Sequence, residues 1–152
     1  MLENIMLVDD SHNDAILLSR SLARAGLEDR LIHIHDPRQA IAYLEGAGKY
    51  ADRNEHPLPD LLLLDLKMPE IDGFQLLSWA RRQPHLAGLI IVVVTRTDDR
   101  RLIEMCYRLG ANSFLSKDAN IEEMRNFVQF FTHYPSVSGR LSKARPAETN
   151  VA

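Results

Sequence analysis

Short, almost wholly apolar runs recur along this chain and alternate with stretches whose apolar residues return every third or fourth position. Ile5-Met6-Leu7-Val8, Leu61-Leu62-Leu63-Leu64 and Leu89-Ile90-Ile91-Val92-Val93-Val94 are too short for helices and lack the in-out alternation of a half-solvated strand. Strands of this kind are buried on both faces, as happens when helices cover a parallel sheet from either side. The pattern predicts strands near 4–8, 31–35, 61–65, 89–94 and 113–116, with helices near 12–26, 37–46, 73–82, 99–109 and 121–134.

Local signals support those boundaries. Ser11 with Asp14 has the form of a capping box, Asn120 with Glu123 repeats it, and Asp36-Pro37 places an N-cap before a proline at the first helical position. Gly26 and Gly110 are expected helix stops. Ala15, Leu18, Leu22 and Ala25 give the first helix a single apolar stripe. Residues 46–60, GAGKYADRNEHPLPD, hold no period and predict a long surface loop. From Pro135 the chain is rich in Ser, Pro and charge, so the expected organisation is one domain over 1–134 and a tail over 135–152, flexible or docked on a partner.

The polar residues that close the strands carry the chemistry. Asp9 and Asp10 follow the first run, Asp65 the third, Thr95 the fourth, and Lys117 follows Ser113-Phe114-Leu115-Ser116. Ligands of open parallel sheets bind at the carboxyl ends of the strands, so these five can converge into one pocket. Three carboxylates held together repel unless a cation or protons offset them. Mg²⁺ needs few protein oxygens and retains water, which suits Asp9, Asp10 and Asp65. Lys117 can pair with a carboxylate or with a phosphoryl oxygen, and Thr95 offers a hydroxyl donor. Phosphoryl transfer needs mainly positioning and charge neutralisation, and this set supplies them.

Around Asp65 the chain reads Asp65-Leu66-Lys67-Met68-Pro69-Glu70-Ile71-Asp72-Gly73. This D-x-x-M-P-x-x-D-G run, with the acidic pair, the Thr and the Lys at matching places, closely resembles the receiver domain of two-component response regulators, over residues 3–134. The resemblance implies an α/β, flavodoxin-like (βα)₅ fold, a doubly wound parallel sheet of strand order 2-1-3-4-5. It implies Asp65 as the phosphoacceptor, Asp10 as a direct Mg²⁺ ligand, Asp9 acting largely through water, and the backbone carbonyl of Lys67 completing the metal set. It further implies that Lys117 contacts the phosphoryl group, that Thr95 moves toward it on activation, and that Phe114 is the aromatic switch residue coupled to Thr95. The long loop and short tail look most like the stand-alone receivers paired with phytochrome-type photoreceptor kinases.

Three positions depart from the family pattern. Asp118 replaces the usual proline after the lysine, and a non-proline cis bond costs roughly 3 kcal/mol, so a trans path is expected. Arg96 stands where a small residue usually follows the switch threonine, and its bulk is expected to narrow access to Asp65. With Lys67 it predicts slow phosphate loss. Phe114 replaces the more frequent Tyr, so its signal must rest on packing.

The function so implied is a stand-alone response regulator that accepts phosphate from a histidine kinase on Asp65 and signals by protein contact, without enzymatic activity beyond its own phosphorylation and dephosphorylation. A degenerate receiver acting as a phosphorylation-independent interaction module is the alternative. An Asp-nucleophile hydrolase is disfavoured because Lys67 stands where its second aspartate would be. The net charge of −3 includes a tail of +2 from Arg140, Lys143 and Arg145 against Glu148, leaving −5 elsewhere, which argues against nucleic acid. The single Cys106 and the lack of an apolar span or leader predict a cytoplasmic, membrane-free protein.

Other residues have plainer readings. Cys106 and Trp79 read as packing, Arg81-Arg82 and Arg100-Arg101 as solvated helix faces, and His12, His56, His85 and His133 as dispersed from His33 and His35. In the last helix Ile121, Met124, Val128 and Phe131 form a stripe suited to the sheet, while Phe127, Phe130 and Tyr134 form a second. The second stripe predicts a homodimer through this helix, with the tail reaching across.

Overall fold

A computed structural model describes residues 3–27, 31–68 and 71–133, and the tail therefore lies outside the described residues. The chain alternates β1 (Ile5–Val8), α1 (His12–Arg24), β2 (Leu31–Ile34), α2 (Pro37–Glu45), β3 (Leu61–Asp65), α3 (Gly73–Arg81), β4 (Ile90–Thr95), α4 (Arg100–Arg108), β5 (Ser113–Ser116) and α5 (Ile121–His133). All strand pairs are parallel and the order is β2-β1-β3-β4-β5, the doubly wound order expected. No described helix is long and apolar enough to cross a membrane.

Alternate residues of each inner strand feed two separate cores. Met6, Val8, Leu62, Leu64, Ile91 and Val93 face α2 and α3. Ile5, Leu7, Leu61, Leu63, Ile90, Val92 and Val94 face α1 and α5. Double-sided burial is why β1, β3 and β4 read as unbroken apolar runs.

Two expectations are revised at helix starts and ends. Ser11 Oγ accepts from Asp14 N at 3.2 Å, but Asp14 does not return the bond, so the box is half made. Its carboxylate goes elsewhere, as described below. Ile121 is 43% exposed, so the stripe of α5 that packs is Met124, Val128 and Phe131.

Arg81 departs most from its expected solvated place. Its guanidinium is half-buried and donates to Leu89 O at 2.8 Å, Gly110 O at 2.8 Å and Asn112 Oδ1 at 2.7 Å, while Asn112 Oδ1 also accepts from Ile91 N at 2.8 Å. These acceptors sit at the amino ends of β4 and β5, the edge of the sheet opposite the strand-end acids. The residues 46–60 carry one 3-10 turn at Gly48–Tyr50, and Arg53 fastens them to α2 by donating to Tyr43 O and Leu44 O.

Candidate functional site: an acidic pocket at the carboxyl edge of the sheet

Register brings the strand-end residues level. Asp65 sits opposite Val94 and Thr95 opposite Ser116, while Lys117 follows directly and its N–H donates to Thr95 O at 3.0 Å. The expected members therefore meet: one oxygen from each of Asp9, Asp10 and Asp65 lies within 4.8 Å of the others. Asp9 and Asp65 are buried and Asp10 is exposed at the rim.

Asp9 is fixed by local bonds. Its N–H donates to Ile34 O at 3.2 Å, and its Oδ1 accepts from Ser11 N at 2.9 Å. Oδ2 is buried, and its charge is met by Lys117 Nζ 2.9 Å away. Three carboxylates this close, two of them buried and with one ammonium among them, fit a hard divalent cation with oxygen ligands.

Asp65 Oδ1 accepts from Lys67 N at 3.3 Å, and Oδ2 is 3.4 Å from Lys117 Nζ. Burial, followed by the charge of Asp9, pushes the Asp65 carboxyl up to about 6, with Lys117 pulling the other way. Burial disfavours the Lys117 ammonium, but hydrogen bonds to Asp9 and Asp14 outweigh it and hold the group above its ordinary value. The Lys117 side chain is only 8% exposed. Gly73, the first residue of α3, explains the end of the motif around Asp65. A Cβ there would run into the backbone of Asp65 and meet Leu66 Cα at 2.6 Å, so α3 can approach the acceptor strand only through glycine.

Thr95 is buried, and its Oγ1 accepts from Thr97 N at 3.2 Å, which leaves the hydroxyl proton to donate. Phe114 is half-buried against the α2–α3 core. The Lys67 side chain is exposed. No described peptide bond is cis, so Lys117-Asp118 takes the expected trans path. Pro69 and Glu70 lie outside the described residues.

Two features were not foreseen. Asp14 Oδ2 accepts from Lys117 Nζ at 2.9 Å, which makes Asp14 a fourth carboxylate of the pocket. Arg96 grips the same side chain bidentately, NH1 to Oδ2 at 2.8 Å and NH2 to Oδ1 at 2.9 Å, and its Nε is 3.7 Å from Asp118. Hydrogen bonds from Arg96 and then Lys117 hold the Asp14 carboxyl far below the usual range, and Asp14 in turn raises Arg96. Arg96 lines a groove together with Asp14, Leu17, Leu18, Ser21 and Lys117. Nothing local in the sequence marks Asp14 beyond its helix-cap spacing, because its partners lie 82 and 103 positions away.

The second is a histidine cluster. His12, expected apart from His33 and His35, meets them with ring centroids 5.6 and 4.7 Å away, and His33 Nε2 lies 3.0 Å from Asp9 O. Their ligand atoms do not converge as those of the three aspartates do.

Comparisons with known proteins agree with this geometry. The profile of the response regulator receiver domain matches residues 5–129. The chain is similar to the response regulator Rcp1 of Synechocystis, 32% identical over 125 residues that make up 82% of this chain and 83% of that protein. The Mn²⁺-bound crystal structure of Rcp1 superposes with a TM-score of 0.70 at 30% identity, covering 87% of this chain and 93% of that one. The phosphorylated cyanobacterial phytochrome response regulator RcpA gives 0.74 at 28% identity, with 91% and 96% covered. RPA3017, from red light signalling in R. palustris, gives 0.78 at 27% identity, with 90% and 96% covered.

Proposed function

The chain belongs to the response regulator receiver family, and on that premise we propose that Asp65 is its phosphoacceptor, charged by a histidine kinase with Mg²⁺ as the metal. The observation that carries this reading is the convergence of Asp9, Asp10 and Asp65 around the ammonium of Lys117, with Asp9 and Asp65 buried. Asp9, Asp10, Asp65 and the Lys67 carbonyl would hold Mg²⁺, which supplies charge neutralisation to the phosphoryl oxygens.

The chain's own groups do the rest. An Asp65 carboxylate oxygen attacks phosphorus, the bond from phosphorus to the donor imidazole nitrogen breaks, and its electron pair leaves with the imidazole. The product is an acyl phosphate on Asp65. Lys117 exchanges a carboxylate for a phosphoryl oxygen, and the Thr95 hydroxyl donates to another. Such a domain is a signalling receiver; its only chemistry is its own phosphorylation and the hydrolysis of that phosphate.

The Rcp1, RcpA and red-light relatives support a kinase of the phytochrome type as the donor. Phe130, 48% exposed and stacked edge-on against Phe131 at 4.9 Å, supports a second copy of the chain as a partner on α5. Buried, single Cys106 fits a reducing cytoplasm.

The test is incubation with acetyl phosphate, with and without Mg²⁺, read by intact mass. Wild type is expected to gain one phosphoryl group only with the metal present, Asp65→Asn none, and Asp10→Asn far less than wild type. A mass gain that survives Asp65→Asn would remove the assignment.

A further inference from the structure

An ammonium has three N–H donors, and Lys117 faces three carboxylates: Asp9 at 2.9 Å, Asp14 at 2.9 Å and Asp65 at 3.4 Å. The phosphoacceptor holds the longest of the three. Asp14, which no local motif marks, therefore competes with Asp65 on equal terms of charge and at shorter range. It cannot swing aside, because the planar fork of Arg96 takes both of its oxygens. Its carboxylate is not spent on the helix cap, where its backbone N–H is the bonded group.

We infer that Asp14, clamped by Arg96, is a positioning residue that draws Lys117 off Asp65 and so keeps the acceptor oxygen open to metal and phosphoryl donor. The inference rests on Asp65 as the acceptor. Without the clamp the ammonium is left with Asp9 and the acceptor itself: it recentres between Asp9 and Asp65 and ties up the attacking oxygen. The clamp also joins the residue after Thr95 to the first turn of α1, so the Lys117 position is set by groups on either side of the pocket. The role differs from a surface ion pair. An exposed Asp-Arg contact would contribute little, and Arg96 is 53% exposed, but the atom it fixes is shared with a buried lysine.

The test is a double-mutant cycle of Asp14→Asn and Arg96→Ala, with Arg96→Lys alongside. Two quantities are read on the full chain: the ¹⁵N resonance of the Lys117 ammonium without metal or donor, and the rate of labelling by acetyl phosphate at saturating Mg²⁺. Relay through Asp14 predicts that both single variants shift the resonance and slow labelling about tenfold, the scale of one lost charge-assisted hydrogen bond. The double variant is expected to be no slower than Asp14→Asn. Arg96→Lys, which keeps the charge and loses the fork, should recover only part of the rate.

A pure field effect gives the opposite pattern. Removing a negative and a positive charge would move the rate in opposite directions and cancel in the double variant, and that result would overturn the inference. So would an unmoved Lys117 resonance in both single variants. Arg96 is exposed enough that its substitution leaves the cores intact, so its arm stands even where Asp14→Asn folds poorly. Failure of wild type to label would count against Asp65 as acceptor, while the resonance arm would still judge the position of Lys117.

Discussion

The Asp65 carboxyl rises from 3.8 to about 6 on folding, chiefly through burial and then through Asp9. A raised carboxyl pKa means that folding favours the protonated form. Below the unfolded value the group costs nothing; the cost grows as pH rises through the interval and is complete above about 6. Asp65→Asn is therefore expected to be more stable than wild type by on the order of 2–3 kcal/mol at about pH 7.5, with the difference closing near pH 4. Urea unfolding at the two pH values checks this. Added Mg²⁺ should narrow the gap at the higher pH by stabilising wild type alone. A gap of the same size at both pH values would mean that Asp65 bears no such strain. The strain suits the role proposed for Asp65: a carboxylate that is costly when bare gains most from a cation and a phosphoryl group.

At the scale of elements, Arg81 does what a hydrophobic residue cannot. It ties the end of α3 to the starts of β4 and β5 through neutral acceptors, so its loss leaves buried carbonyl groups without donors. Arg81→Met should lower stability by about 2–4 kcal/mol, and Arg81→Lys should recover little, since one nitrogen cannot reach acceptors that the guanidinium meets with Nε, NH1 and NH2. Chemical denaturation of both variants measures it, and a fully stable Arg81→Lys would show that charge alone suffices. The sequence made the strands and the primary site legible because double-sided burial writes an unbroken apolar run, and because Asp9, Asp10, Asp65, Thr95 and Lys117 stand at the ends of such runs. It hid Arg81, Asp14 and the meeting of His12 with His33 and His35. Each of those depends on contacts between helices and distant strands, and a charged residue on a helix looks the same in sequence whether it faces water or a partner. Gly73 was visible as part of a motif, but its reason, the approach of α3 to Leu66, was not.

For the whole molecule, α5 is the proposed contact between copies. Met124, Val128 and Phe131 are spent on the sheet, while Phe130 is presented outward beside Phe127, which packs at the core's edge. Tyr134 and the tail belong to the expected interface but lie outside the described residues. The full chain is expected to have the mass of a dimer by light scattering at micromolar concentration, and Phe130→Glu that of a monomer, with a chain ending at Tyr134 showing how much the tail adds. A monomeric full chain would leave the helix face to the kinase or another protein.

The pocket also has an order of assembly. Lys117 pairs with Asp14 across 103 positions, and the strand that delivers it is the last of the sheet. During synthesis, which presents the amino-terminal part first, the carboxylates at the ends of β1 and β3 are in place before their ammonium has been made. A nascent chain that has reached α4 but not β5 holds Asp9, Asp10 and Asp65 without the Lys117 ammonium, and it has neither the closing strand nor α5 to cover them. On the role proposed for Lys117, competence to accept phosphate would arrive only once β5 and Lys117 have been made. A truncated product would be silent in the pathway rather than a faulty participant in it.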